Sequence, residues 1–374
     1  METRRSHLPP LSLAANAYRW PAEWEPRRAT LLAWPHNRQT WPGVPWDELL
    51  DEYATFAAAV SRYGPVELIV SQGPAVAEAA CERIAHAGGQ QPRSIRAIPT
   101  DDSWVRDTAP IPLQSRRTGD WIEVAARFTA YGQRYPHAAD REFAADVAGP
   151  CAVQTDLVLE GGAIDSDGGC RLLLTQQWLQ NRIGPGGRQL DSSAHPASGV
   201  ASLAVADAGY QAFFASLGAD ILCLPFGVVG DDTGGHIDDC GRMLPGGRLL
   251  LAIEPNCLDA NSQALRANVR TAKRWLEDGR IADLIELPMP PPLHHRIDGR
   301  QQRLPASYAN YLLVGSNEPD AAEAVLVPTF DAPQDDVACG VLQAVFPDRE
   351  IVPLPSRRLI VGLGSLHCLS AARF

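Results

Sequence analysis

Asp220-Ile221-Leu222-Cys223-Leu224 is a short apolar run of strand character, with a helical pattern over 202–217 before it and a glycine- and acid-rich stretch, Gly230 to Asp239, after it. The same order of elements returns along the chain. Helix 75–87 leads to a strand ending near Ile98 and then to Asp101 to Asp107. Helix 138–148 leads to the strand 156–159 and then to Glu160-Gly161-Gly162. Helix 259–278 leads to 283–287 and a proline run, and helix 335–345 leads to 350–354 and soon afterwards to a turn around Cys368. The strand ends at 98, 159, 224, 287 and 354 recur every 61 to 67 residues. Self-similarity at a fixed period is the mark of a repeat architecture. Five equal helix–strand units predict an α/β fold closed into a ring of five blades, a pseudo-symmetric α/β-propeller in a single domain over 18–374, with residues 1–17 a disordered tail. A doubly wound sheet is the competing architecture. Its strands would not recur so evenly, nor with intervening hairpins such as Arg242 to Ala252.

Outward from the repeat, composition limits what the chain does. The 374 residues are 45% hydrophobic and 21% charged, the balance of an ordinary globular protein with a sizeable core. A net charge of -11 argues against a nucleic-acid partner, whose phosphates call for a basic face, and suits a small cation. No apolar run reaches the length of a membrane span. Eight cysteines are scattered without a CxxC pair, which predicts reduced thiols and a cytoplasmic location. Arg4-Arg5 before a short apolar stretch is a weak match to an export signal, and Pro9-Pro10 interrupts it.

The chemistry-bearing residues follow the strand ends. Cys368 ends the glycine-spaced turn Gly362-Leu363-Gly364-Ser365-Leu366-His367, which follows the apolar run Leu359, Ile360, Val361, read as a strand. Glycine admits backbone angles and close approaches closed to other residues, so a thiol there is a candidate nucleophile and Gly364 a candidate ligand contact. The alternative is an inert buried cysteine. In His236-Ile237-Asp238 an extended backbone would turn the imidazole and the carboxylate to one side, as a general acid/base beside a cation-binding group. The same stretch also reads as a metal site or as a solvated acidic turn. Trp104, Arg106 and Asp107 share a strand exit, and Glu160 precedes a glycine pair. Two or three converging carboxylates, Asp107, Asp238 and Glu160, would receive the donors of a guanidinium. No phosphate-binding, dinucleotide-binding, zinc-protease or serine-hydrolase motif is present.

Trp104-Val105-Arg106-Asp107-Thr108, Leu159-Glu160-Gly161-Gly162, Gly235-His236-Ile237-Asp238-Asp239, Ser307-Tyr308-Ala309-Asn310 and Gly364-Ser365-Leu366-His367-Cys368, together with Pro21 to Pro26 and Leu32 to Pro35, resemble the agmatine deiminase family. That family is grouped with the bacterial peptidyl-arginine deiminases among the pentein-like, five-bladed α/β-propeller enzymes that modify guanidines. The resemblance runs from about residue 20 to 370. It implies Cys368 as nucleophile, His236 as general acid/base, Asp107 and Asp238 as clamps on the guanidinium, and Glu160 in the same pocket, with Trp104, Arg106, Asp232 and Gly364 as substrate contacts. It also implies hydrolysis of agmatine to N-carbamoylputrescine and ammonia through a covalent thiouronium, with no metal or organic cofactor. A homo-oligomer is left open.

The chain departs from the family where members commonly read Phe-Asn-Ala-Trp-Gly-Gly and this sequence reads Phe128-Thr129-Ala130-Tyr131-Gly132-Gln133. The change falls at the far end of the substrate pocket, so another guanidinoalkylamine or a peptidyl-arginine is the alternative substrate. A manganese ureohydrolase and a non-catalytic guanidine binder are the rivals from other classes. The first would need further Asp/His clusters, and the second would leave the thiol and imidazole without a purpose.

Overall fold

A computed structural model describes Leu11 and residues 14–183, 207–297, 299–318 and 321–374. The first long helix shows how the sequence pattern sets the elements. In Trp46–Tyr63, Leu49, Leu50, Tyr53, Phe56, Ala57 and Val60 repeat at helical spacing and are all buried, with Asp47 and Glu48 at the positive end of the helix dipole. It carries the chain from Ala29–Ala33 to its parallel neighbour Val66–Val70, and the helix Pro74–His86 carries it on to Ser94–Ala97. Parallel strands need such crossovers.

Four further sheets share the plan of a parallel pair joined by a helix, with an antiparallel strand at the side. Trp121–Ala125 and Ala152–Gln154 are joined through Asp140–Ala148, and Arg171–Thr175 pairs with Asp220–Leu224 after the helix Ala208–Ser216. Arg248–Ile253 and Leu284–Pro288 are joined through Ser262–Glu277, and Ala324–Thr329 and Glu350–Pro355 through Gln334–Val345. Among the described residues these sheets share no strand, and a separate hairpin, His294–Ile297 with Arg300–Arg303, stands between the last two. The last strand, Ser370–Arg373, returns to Ala29–Ala33, pairing Ser370 with Leu32. The residue that begins two positions earlier, Cys368, is therefore tied to the opening sheet.

Two sequence expectations fail here. The strand expected at 156–159 is instead Ala152–Gln154, because its partner strand ends at Ala125; only Arg127 N–H still reaches Leu157 O, at 3.0 Å. Leu159 is buried without a ladder partner, and apolar runs are often buried for that reason alone. The run Leu359–Gly362 is a short 3₁₀ helix, not a strand, and Leu363 follows it in the left-handed region with φ 71°. Of the helix expected over 202–217, residues 202–206 lie outside the described residues and Ala208–Ser216 is helical. Of the expected tail, residues 1–10, 12 and 13 also lie outside them. Leu11 is buried in the core around Trp178 and Phe213, and Asn16 N–H donates to Ala215 O at 2.8 Å. No helix among the described residues is long and apolar enough to cross a membrane.

Candidate active site

Gly162 marks the point where the separate motifs meet. A Cβ built there would lie 2.8 Å from His236 Nδ1, 2.9 Å from Asp107 Oδ1 and 2.9 Å from Asp238 Oδ2. Only a residue without a side chain lets three functional groups close around the backbone at this point. The glycine also holds them in place. Its N–H donates to Asp107 Oδ1 at 2.9 Å, and its carbonyl accepts from the N–H groups of Ile237 (3.1 Å) and Asp238 (3.2 Å).

Cys368 lies in the turn before the last strand and is buried. Asn310, at the end of the 3₁₀ helix Tyr308–Asn310, shapes that turn. Its Oδ1 accepts from Ser365 Oγ (2.8 Å), His367 N–H (3.1 Å) and Cys368 N–H (3.4 Å). This fixes the amide orientation, and Nδ2 then donates to Cys368 Sγ at 3.1 Å and to Asp239 Oδ1 at 2.9 Å. Asp238 Oδ2 stands 3.5 Å from the sulfur. Gly364 is demanded by a neighbour, since a Cβ there would meet Trp104 Cζ3 at 2.6 Å.

The turn bearing His236 is stapled by Asp231. Its carboxylate accepts from Thr233 N–H and Oγ1 and from Gly235 N–H, at 2.7, 2.6 and 2.8 Å. The stretch is a turn, not a strand, yet His236 and Asp238 still converge. His236 Nε2 is 3.2 Å from Glu160 Oε2, while Nδ1, buried and without a hydrogen-bond partner, faces Asp107 Oδ1 at 3.7 Å. Burial alone would lower the imidazole pKa, but the Asp107 charge, the Glu160 hydrogen bond and charge, and Asp238 together lift it to about 10. At neutral pH the ring is an imidazolium. The Cys368 thiol is pushed well up by burial and then by Asp238, Asp239 and Asp107, with only the Asn310 N–H working against them. At neutral pH these groups therefore include an imidazolium and a neutral thiol.

A cavity of about 540 Å³ opens onto these groups. Cys368, Asp107, Trp104, Gly364 and Asp232 line it, and Asp101, Asp102 and Asp140 add carboxylates. No Arg or Lys is among the described residues lining it. His236 and Asp238 lie behind the cavity wall, each about 1% exposed. Glu160, expected in the pocket, also lies behind it. Its carboxylate is filled by Trp178 Nε1–H at 2.6 Å, by the Arg182 guanidinium at 2.9–3.1 Å and by His236. Arg106, expected as a substrate contact, points away from the cavity. Its guanidinium takes both oxygens of Glu23, at 3.2 and 3.3 Å, and Nε–H donates to His367 O at 3.1 Å.

Asp238, Asp239 and Cys368 place donor atoms within 4.8 Å of one another, the spacing a cation would need. The Asn310 amide aims its hydrogens at both Asp239 Oδ1 and Sγ, so donor hydrogens stand where a metal would have to enter.

The family model for Porphyromonas-type peptidyl-arginine deiminases matches residues 19–190 and 208–372. The chain belongs to this family. Agmatine deiminases of Pseudomonas putida (KT2440) and Pseudomonas aeruginosa (LESB58) are 30% and 29% identical to it, each over 95% of both chains. The solved structure of a putative arginine deiminase from Porphyromonas gingivalis superposes with a TM-score of 0.75 at 27% identity, over 95% of this chain and 98% of that one. The C. jejuni agmatine deiminase with substrate bound gives 0.75 at 24% identity over 96% of both chains, a likeness of fold.

In this member of the Porphyromonas-type family the site also uses residues to which sequence reasoning gave no role. Asn310 stood inside a quoted motif, and His367 adjoins the cysteine. Tyr131 lay in the segment expected at the far end of the pocket, but its hydroxyl donates to Asp107 Oδ2 at 2.8 Å and its ring packs edge-on against His236. Glu23 stood inside the quoted Pro21 to Pro26 stretch, 83 residues from its partner Arg106, and Arg182 carried no local signal, since its partner lies 22 residues away.

Proposed function

We propose that this protein hydrolyses agmatine to N-carbamoylputrescine and ammonia by covalent catalysis at Cys368. The observation that carries the reading is that an imidazolium and two carboxylates close around Gly162, with Cys368 Sγ 3.5 Å from one of those carboxylates and itself lining, with Asp107, a cavity rich in acids. Asp107 and Asp238 would receive the guanidinium's N–H donors; Asp238 Oδ1, buried and without a partner, is the open acceptor. The substrate's charge then offsets the carboxylates that hold the thiol protonated, so binding itself favours the thiolate, and the thiol proton leaves to solvent through the cavity. The thiolate attacks the central guanidinium carbon. His236, already an imidazolium, protonates one departing nitrogen, which leaves as ammonia, and an S-linked thiouronium remains. Now neutral, His236 takes a proton from water, the hydroxide adds to the same carbon, and the C–S bond breaks to release the ureido product and the cysteine. Glu160 holds the imidazole from behind and never touches substrate.

The acidic lining favours a substrate with a cation at its far end over one with a carboxylate. A buried, unpaired carboxylate is strongly unfavourable. Arg106 is engaged with Glu23, and Arg134 is exposed and does not line the cavity. We read the five sheets as blades of one ring over residues 18–374, because Asp107, Glu160, His236, Asn310 and Cys368 come from connections between different sheets and still meet. Cys81, Cys170, Cys223, Cys240, Cys257, Cys339 and Cys368 are free thiols, which supports a cytoplasmic setting.

Ammonia and urea release on agmatine, free arginine and a peptide ending in arginine tests the reading. Agmatine should lead by at least about a hundredfold in kcat/KM, with ammonia as the released nitrogen. Equal rates on arginine, a preference for the peptide, or urea release would each overturn it.

A further inference from the structure

His367 adjoins the nucleophile and is buried, yet it is not part of the chemistry just described. Its Nδ1 lies 2.7 Å from Asp238 Oδ2, the oxygen that stands 3.5 Å from Cys368 Sγ. Its other nitrogen, Nε2, is buried without a hydrogen-bond partner and faces Glu23 Oε2 at 3.5 Å. Glu23 arrives from the N-terminal segment. Burial works against its ionisation, but Arg106 and Arg27, with His367, hold its carboxyl well below the usual range. The ring thus lies between two carboxylates, Asp238 on one side and Glu23 on the other.

We propose that Glu23 and His367 are positioning residues for the deimination. Glu23 fixes the imidazole ring, and His367 Nδ1–H pins one oxygen of Asp238. The other, Oδ1, is thereby left as the acceptor for a guanidinium, and Oδ2, the oxygen 3.5 Å from the sulfur, shares its charge with the imidazole N–H and does not bear on the sulfur alone. This gives Arg106 a place as well. It anchors Glu23 and holds the His367 carbonyl, which explains why its guanidinium faces away from the cavity. The proposal rests on the deiminase reading.

Two substitutions at one position separate pinning from packing. Asparagine carries an amide nitrogen where Nδ1 stood and nothing near Glu23, whereas glutamine reaches the Nε2 position and leaves Asp238 unpinned. His367→Gln should lower kcat/KM on agmatine by about thirtyfold and His367→Asn by only about threefold, since leaving a buried carboxylate oxygen without its donor is the larger loss. Glu23→Gln should lower kcat/KM about fivefold in the wild-type background and add no further loss in the His367→Asn background, because contacting residues couple when one acts through the other. Iodoacetamide alkylation of Cys368, followed on its own peptide by mass spectrometry, should slow in His367→Gln and much less in His367→Asn. Equal losses for Asn and Gln, or the same Glu23→Gln loss in both backgrounds, would overturn the proposal. If His367→Gln fails to fold, the Glu23 cycle still decides. If the wild-type enzyme leaves agmatine untouched, the substrate reading fails, and the order of alkylation rates still tests the positioning.

Discussion

Two buried carboxylates face His236 from opposite sides, and their surroundings differ. Behind the ring, Glu160 is filled by Trp178, Arg182 and the imidazole. Burial alone would raise its pKa, yet Arg182 and His236 hold it down at about 2. In front, Asp107 accepts one backbone N–H and one tyrosine hydroxyl, with no Arg or Lys paired to it among the ion pairs of the described residues. Burial pushes its pKa up, the His236 charge opposes this, and Asp238 and Glu160 reinforce it. Glu160 has its cation built in. Asp107 has a share of one imidazolium and an open cavity. A site arranged this way lacks a positive charge that the substrate brings, and the asymmetry tells the structural carboxylate from the binding one.

The comparison breaks most sharply at the cavity side. Asp107→Asn should lower kcat/KM by two or more orders of magnitude, because a guanidinium loses a charged acceptor in a buried site. Its thermal midpoint should hold or rise, since the lost charge had no full counter-ion. Cys368→Ala should abolish turnover by several orders of magnitude while agmatine still binds, so calorimetry in that background reads the Asp107 contribution without chemistry. An Asp107→Asn enzyme with normal kcat/KM, or one as destabilised as the Glu160 variant, would erase the distinction.

Glu160→Gln should act chiefly on stability, because it leaves the Arg182 guanidinium buried without its carboxylate, a loss of about 3–5 kcal/mol. The pH dependence follows from the sign of the shift. The folded-state pKa of about 2 lies below the ordinary 4.5, so the stabilisation is complete above pH 4.5 and drains away as pH falls toward 2. Its size is on the order of 3 kcal/mol. Denaturant titrations at pH 7, 4.5 and 3 should show wild type and Glu160→Gln converging as pH falls. Asp107 has the opposite sign. Its folded pKa is raised, so ionising it costs stability above the ordinary aspartate range, and that cost disappears on acidification. Curves that stay parallel down to pH 3 would mean that the Glu160 charge does not stabilise the fold.

Cys368, His236, Asp107, Asp238 and Glu160, the residues of the proposed site, were candidates in the sequence because each stands in or near a turn after an apolar run, a local pattern. Their division of labour could not. Glu160 and Asp107 look alike as acids after strands, and only partners from elsewhere in the fold, Arg182 for one and Tyr131 for the other, separate them. Arg106 was misplaced for the same reason, since its partner Glu23 belongs to a distant segment. The helices of the repeat were legible from their apolar spacing. The run at 156–159 was not, because burial without a partner strand has the same apolar signature as burial within a sheet.

The finest test of the comparison is the hydroxyl that Asp107 accepts in place of a cation. Tyr131 OH donates to Oδ2 at 2.8 Å, and its ring meets His236 edge-on with centroids 5.7 Å apart. The side chain is carried by an unusual backbone. Ala130, Tyr131, Gly132 and Gln133 all have positive φ, at 47°, 56°, 93° and 67°. Left-handed angles cost non-glycine residues about 1–2 kcal/mol each, and such strain persists only where surrounding contacts hold it. The hydroxyl bond to Asp107 is one such contact, and it occupies an oxygen that an incoming guanidinium needs. Tyr131→Phe keeps the ring against His236 and removes only that competitor. A hydrogen bond of this kind is worth about 0.5–1.5 kcal/mol net, so the KM for agmatine should fall by about two- to twelvefold with kcat nearly unchanged. The thermal midpoint should drop slightly as the left-handed run loses a tether. A KM that rises tenfold instead would mean that the hydroxyl binds substrate together with Asp107, and the front carboxylate would then be less open than its partners suggest.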